Sequence, residues 1–233
     1  YTLLRTHKEN PKSSQPSPQS VRNLLSFLAS HYQSIIVVTV SEKLSGFYKL
    51  CRNAGDQIQN KTIDVVNSRH ISASLGLVVL RAAEAIRAGK SHEEIVRLSG
   101  EWVLKTRILV DIQTLKYMVR GGRVSPMKGF LAKILNLKPI VYLDSEGRAV
   151  AFGKSFRRKS NMKKIVRMIK NMSEEADFWN YAIVHAQNLE RANLYAERLE
   201  EELHLKPAYI IDISPVVGVH NGIGAVGIAL MFK

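Results

Sequence analysis

The chain has 233 residues, 45% of them hydrophobic, with 34 Lys and Arg against 20 Asp and Glu and a formal charge of +14. That length suits one large domain or two modest ones, and the composition is that of a globular protein rather than a disordered or fibrous one. No apolar run approaches the ~18–20 residues of a membrane span, no secretory signal is visible, and the single cysteine, Cys51, excludes an internal disulfide.

Residues 1–12 read as polar and irregular, and Ser13-Ser14-Gln15-Pro16-Ser17-Pro18 as a loop entering a helix. Ser17 is a natural N-cap and Pro18 suits the first helical position, so a helix is predicted to about Ser30. The β-branched run Ile35–Val40 predicts a strand buried on both faces. Ser41–Gly46 follows as a loop, then a helix to about Gln59 that carries Cys51 as a packed thiol. Thr62–Val66 predicts a second buried strand, and Ser72–Ala88 a helix stopped by Gly89. Strand–loop–helix alternation implies a parallel sheet with right-handed crossovers. In such sheets ligands bind at the carboxyl ends of the strands, here the loops Ser41–Gly46 and Asn67–His70.

Ser91-His92-Glu93-Glu94 reads as a capping box opening a helix to about Lys105. The pattern then changes. A strand is predicted over Ile108–Ile112 and a helical turn over Gln113–Val119, closed by Gly121-Gly122. Lys138–Leu143 and Arg148–Phe156 flank Asp144-Ser145-Glu146-Gly147, a hairpin turn with glycine where a left-handed residue is needed. A basic helix over 159–172, a strand over Trp179–Val184 and an amphipathic helix over 189–204 follow, the last with Leu189, Ala192, Ala196, Leu199 and Leu203 on its apolar face. Tyr209–Ile213 and Ala225–Phe232 are the final strands. The expected fold class is α/β in two domains: residues 1–106 with a parallel sheet, and residues 107–233 with antiparallel strands.

Charge is uneven. Between Lys116 and Lys170 there are fifteen Lys or Arg and two acids, Asp144 and Glu146, so this stretch carries +13. A nucleic acid, an anionic protein or an anionic ligand head would each suit such a surface. The aromatic-interleaved signature of an RNA-binding sheet and any helix-turn-helix or zinc pattern are missing, which argues against nucleic acid. No CxxC or HExxH pattern points to a metal. One cysteine fits a reducing compartment, so a cytoplasmic location is expected.

Three loops offer chemistry: Ser13-Ser14-Gln15-Pro16-Ser17, Ser45-Gly46-Phe47-Tyr48 and His220-Asn221-Gly222. The third closes the apolar run from Ile213 and is followed by Gly224 and Gly227, which let backbone and imidazole approach a ligand closely. The same segment also reads as a glycine-rich turn before the last strand. Small hydroxyls and neutral donors beside glycines or helix N-termini suit an anion such as a carboxylate. A Ser–His pair also suits a serine hydrolase or esterase, with Ser45 and His220 as its dyad. That reading wants an orienting acid and a nucleophile elbow, and G-x-S-x-G is absent.

Ser14-Gln15-Pro16-Ser17-Pro18, Leu44-Ser45-Gly46-Phe47-Tyr48, Gly121-Gly122-Arg123-Val124-Ser125, Leu137-Lys138-Pro139-Ile140 and Ile213-Ser214-Pro215 through His220-Asn221-Gly222 follow one another in an order that resembles the DegV family of bacterial fatty-acid-binding proteins. The resemblance implies an apolar tunnel between two α/β domains, holding a long-chain fatty acid with its carboxylate near the surface. It implies a carrier without catalysis or cofactor that presents the acid to a separate fatty-acid kinase, which makes acyl phosphate for phospholipid synthesis. Carried over by position, the ligand-binding residues are Ser13, Ser14, Ser45, Gly46, Arg123, His220, Asn221 and Gly222. Ser13 stands where the family usually has threonine, Ser45 matches a direct carboxylate donor, and His220 lies beside the same carboxylate. Arg123 suits either the head group or fold support.

Departures from the pattern are Phe47 for a usual threonine, Asn221 for threonine, Ile223 for proline and Asn67 for aspartate. Members of the family normally begin with another strand, an Asp-Ser-Thr loop and a helix that are not present in this sequence, so the resemblance leads one to expect a first domain truncated at its start. Under this reading the basic stretch is partly a docking face for the kinase or for an anionic membrane surface, with Arg157 and Arg158 as its test positions.

Overall fold

The computed structural model describes residues 1–6, 11–124, 138–152 and 158–233. Ser125 and Leu137 of the motifs above, residues 153–156 of the expected hairpin strand, and Arg157 lie outside them. The chain opens with a short helix α1 (Thr2–Thr6), which corrects the irregular start expected for residues 1–12. Tyr1 before it packs on Gly218, and its hydroxyl donates to Asp212 Oδ1 at 3.4 Å. Helix α2 (Pro18–His31) begins as its sequence dictates, with Ser17 Oγ accepting from Ser20 N and Pro18 in the first turn.

Strands β1 (Ser34–Thr39) and β2 (Thr62–Asn67) pair in parallel and in register, from Ser34 opposite Thr62 to Thr39 opposite Asn67. They are joined through α3 (Phe47–Gly55), which ends earlier than the expected Gln59. Both strands are half-buried rather than fully buried. Val37 and Val65 pack against α2 and α3 through Val21, Leu25, Cys51 and Ala54, whereas Ile36 and Val38 face the larger core. Cys51 is the packed thiol expected, with burial raising its pKa.

Helix α4 (Ala73–Arg87) follows β2, and α5 (His92–Leu104) follows α4 behind the expected cap, Ser91 Oγ accepting from Glu94 N. A six-stranded mixed sheet comes next, in the order β5-β4-β3-β8-β6-β7. Its strands are β3 (Thr106–Asp111), β4 (Ile140–Leu143), β5 (Ala149–Phe152), β6 (Phe178–His185), β7 (Ile210–Asp212) and β8 (Val226–Phe232). Every pairing is antiparallel except β6–β7, whose connection is helix α8 (Leu189–Leu203). The remaining helices are α6 (Lys116–Arg120), α7 (Arg158–Glu175) and α9 (Pro215–Asn221).

Alternation along the central strands divides the core. Leu109 of β3, Tyr181 and Ile183 of β6, and Val226, Ile228 and Leu230 of β8 pack against α7 and α8. Ile108, Ala182, Val184, Ala225, Ala229 and Met231 point the other way, toward α4 and α5. On the α7–α8 side, fully buried Asp111 takes Arg191 Nε at 2.7 Å, Tyr195 Oη at 3.2 Å and Asn161 Nδ2 at 3.1 Å. That network ties β3 to both helices, and removing Asp111 would leave a largely buried guanidinium uncompensated. Leu189, expected on the apolar face of α8, is 53% exposed.

The two sheets meet at a clasp. The Asp144–Gly147 turn has Gly147 at φ +83, as its position required. Ser41 Oγ donates to Gly147 O at 2.9 Å, and Arg69 Nη1 to Ser145 O at 3.2 Å. Behind the clasp His70 is 6% exposed, with Nε2 donating to Val103 O at 3.0 Å. Burial pushes its pKa down to about 4, with a further push from Arg107, against the pull of the Val103 hydrogen bond. The folded protein therefore binds fewer protons than the unfolded chain between about pH 4 and about pH 6.5, so stability is full above that window and falls as pH drops through it. The expected loss is on the order of 3 kcal/mol. Urea unfolding across this window checks it: His70→Gln, which keeps a donor for Val103 and does not titrate, should show a correspondingly shallower decline, and equal slopes would refute the assignment.

Candidate functional site

A cavity of about 700 Å³ lies between the small parallel sheet and the six-stranded sheet. Its floor is the face of β3, β8 and β6 where side chains are small or branched: Ile108, Val110, Ala225, Gly227 and Val184. Gly227 contributes no side chain, and a Cβ there would stand 3.1 Å from Val184 Cγ2. Ala73, Leu75 and Gly76 of α4 form one wall, with Tyr209 laid across the start of that helix, its hydroxyl donating to Ala73 O at 3.2 Å. Ile211 and Val216, about half-exposed apolar residues, stand at the rim.

One part of the lining is polar. Ser13, Ser14, Gln15, Ser45, Gly46, Arg123, His220 and Asn221 all line the cavity, so the structure brings together seven of the eight predicted site residues, with Gln15 added. The eighth, Gly222, is the buried residue just behind Asn221. Ser13 Oγ and His220 Nε2 are 2.8 Å apart. Gly46 sits against Gln15, where a Cβ would come 2.8 Å from Oε1, so the first two loops are in contact. Ser45 Oγ accepts from Phe47 N at 3.3 Å, which leaves its own hydrogen free to donate. Arg123 donates through Nη1 to Gly121 O. Burial, and then the charge of Arg123, lower the His220 pKa below its ordinary value, so the ring is neutral at pH 7.

The third loop is not a loop. His220 and Asn221 form the last turn of α9, a correction to the glycine-rich turn expected there. Ser214 and Pro215 supply the start signal, and Gly222 ends the helix. Gly222 has φ +77 and ψ 165, a region open essentially to glycine alone, and its missing side chain makes room for the Tyr117 ring. Ser72 was also missed. It lines the cavity at φ +56 and ψ −129, strained for a residue with a Cβ. Nothing in its local sequence marks it. Tyr117 falls within the helical turn that the sequence predicts, with nothing local to mark its contact with Gly222. Among the described residues no group of His, Cys, Asp and Glu could hold a metal, and no helix is long and apolar enough to cross a membrane.

A mostly apolar cavity between two sheets, with hydroxyls and an imidazole gathered in its lining, has the character of a small-molecule site suited to an apolar molecule with a polar head. The family model described as "Uncharacterised protein, DegV family" matches residues 1–233, and the chain belongs to the DegV family. A DegV domain-containing protein from Clostridium perfringens is 31% identical over an alignment covering 98% of this chain and 82% of that protein. Among similar solved structures, DegV, a fatty acid binding protein from Bacillus subtilis, is 29% identical with a TM-score of 0.87, covering 100% of this chain and 83% of that one. A fatty acid binding DegV family protein from Streptococcus agalactiae is 26% identical with a TM-score of 0.90, covering 100% of this chain and 82% of that one.

The end of α9 yields a direct test. Gly222→Ala combines a strained backbone, worth about 1–3 kcal/mol, with a collision against Tyr117. Denaturant unfolding should show a loss of at least that size, and a change below about 0.5 kcal/mol, the level of an ordinary surface substitution, would refute the assigned conformation.

Proposed function

We propose that the cavity holds a long-chain fatty acid, with its carboxylate at the Ser13–Ser45–His220–Arg123 end and its chain over the β3–β8–β6 floor. The carrying observation is the cavity itself, about 700 Å³ and lined mostly by apolar side chains, with Ser13 and His220 paired in its lining beside Ser45 and Arg123. The similar proteins from B. subtilis and S. agalactiae, described as fatty acid binding, support the same ligand. Burying a chain of about sixteen carbons at ~0.8 kcal/mol per CH2 yields on the order of 12 kcal/mol before costs, so the chain dominates affinity. The head group needs only to have its acceptors met, because a buried unpaired carboxylate is expensive.

The protein is a carrier rather than a hydrolase on this reading. Ser45 accepts from Phe47 N, and the hydroxyl on His220 Nε2 is that of Ser13. His220 Nδ1, where a triad acid would bond, is buried without a hydrogen-bond partner among the described residues. The reaction then belongs to a fatty-acid kinase that takes the presented acid to acyl phosphate for phospholipid synthesis. Lys163 and Arg167, exposed on α7, belong to the basic stretch that would dock an acidic kinase surface. Other cations of that stretch are already engaged: Lys170 with Glu202 at 2.7 Å and Lys164 over the Phe152 ring at 4.3 Å. That division fits a protein partner better than a continuous phosphate-tracking strip of nucleic acid.

Denaturing the purified protein, extracting it with organic solvent and running mass spectrometry on the extract tests the ligand. About one fatty acid per chain is expected. No acid in the extract, together with no thermal stabilisation by added fatty acids, would end the carrier reading. For the partner, Lys163→Glu with Arg167→Glu should reduce acyl-phosphate formation by the kinase about tenfold or more while leaving fatty-acid affinity intact. Unchanged kinase turnover would remove α7 from the docking face.

A further inference from the structure

The two glycines that close α6 are there for different reasons. Gly122 has φ +67 and, among the described residues, nothing that its side chain would meet, so it is its conformation that calls for glycine. Gly121 has φ −76 and ψ −8, which any residue adopts. Its missing side chain makes room for the His220 ring: a Cβ there would collide with Nδ1, lie 2.8 Å from Cε1 and lie 3.2 Å from the Tyr117 carbonyl oxygen. His220 is therefore held at both nitrogens. Nε2 meets Ser13 Oγ at 2.8 Å, and Nδ1 is packed on Gly121, buried and without a hydrogen-bond partner among the described residues.

We propose that Gly121 is a positioning residue that sets the polarity of the head-group site: it holds His220 with Nδ1 bare, so that Nε2–H donates to Ser13 and Ser13 turns its own hydrogen to the cavity. The inference rests on the fatty-acid reading for its functional meaning, though not for its geometry. A proton on Nδ1 would be a buried donor facing a carbon, and an unmet N–H carries its full desolvation cost. An unmet acceptor is the more tolerable fault. With Nε2 as donor, Ser13 has its acceptor side engaged, as Ser45 has through Phe47 N. Both hydroxyls then offer hydrogens to an ionised carboxylate, which only accepts. The opposite tautomer would use the Ser13 hydrogen on His220 and set oxygen lone pairs against the anion. Gly121 O also accepts from Arg123, so one residue seats the ring with its Cα and the guanidinium with its carbonyl.

Two-bond proton–nitrogen spectra of histidine-labelled protein without ligand read the tautomer directly, with His220 assigned by its loss in His220→Gln. At neutral pH the wild type should show His220 protonated on Nε2 only. In Gly121→Ala the ring must leave its seat, the Nε2–Ser13 pairing should be lost from the spectrum, and palmitate affinity should fall about tenfold or more, the scale of one hydrogen bond to a charged group. A wild-type ring protonated on Nδ1 overturns the proposal. So does a folded Gly121→Ala variant that keeps both the wild-type tautomer and wild-type palmitate affinity. Should that variant not fold, the wild-type spectrum alone decides. Absence of palmitate binding in a wild type that shows the Nε2–H tautomer would refute the fatty-acid reading instead, so the two failures are distinct.

Discussion

Everything in this molecule depends on one face of a sheet being left unfilled. From Ala225 through β8 the residues alternate between one row, Val226, Ile228 and Leu230, and another that is small at its start, Ala225, Gly227 and Ala229, before Met231. The first row is fully buried against α7 and α8 and anchors the sheet from behind. The second leaves space that α4 covers at one end and the cavity occupies at the other. A packed interior would normally close over such space, since lining atoms without neighbours lose dispersion contacts and an apolar void costs stability. Here the walls are fixed independently, by the clasp at Gly147 and by Tyr209 across the start of α4. A chain that enters therefore replaces missing contacts rather than displacing existing ones, and it stabilises the fold by mass action.

The polar end follows from the same topology. Parallel strands β1 and β2 place their carboxyl-terminal loops together, as parallel sheets do, and those loops carry Ser41 through Gly46 and Ser68 through Ser72. From the other side, α6 and α9 bring Arg123 and His220 to the same place. Contributions from distant parts of the chain thus meet where the lining changes from apolar to polar, and burial there strengthens each hydrogen bond while penalising any that is missing. Ser72 holds a strained backbone in this crescent, which is where strain persists when the surroundings over-determine it.

Much of this was readable from the residues alone, and the reasons are local. Ser17 with Pro18, Ser91 with Glu94 and the Asp144–Gly147 turn each carry their own stereochemical signal, so the elements they bound appear where expected. The period of two in β8 and the β-branched runs of β1 and β2 are equally plain. What failed to show was set by contacts remote in sequence. The His220-Asn221-Gly222 segment reads as a glycine-rich loop, yet α9 forms because Ser214 and Pro215 start it and Gly218 accommodates Tyr1. The half-exposure of β1 and β2 reflects a cavity beside them that no property of Ile36 or Val38 could announce. The motif glycines were visible, but that Gly121 serves His220 while Gly122 serves the backbone required knowing what stood opposite each.

Electrostatics then decides how tightly such a site should hold its ligand. His220 is neutral because it is buried and because Arg123 is close enough to disfavour a second cation. Without a bound anion, the cluster around His220 therefore presents Arg123 as its cation among neutral donors. A doubly cationic pocket would bind a carboxylate harder, but it would be costly to keep empty and slow to release its acid to anything. If the cavity holds a fatty acid as proposed, such donors would orient the head group while the apolar chain supplied the affinity. On the fatty-acid reading proposed above, orientation without a deep electrostatic trap would leave the bound acid free to be released.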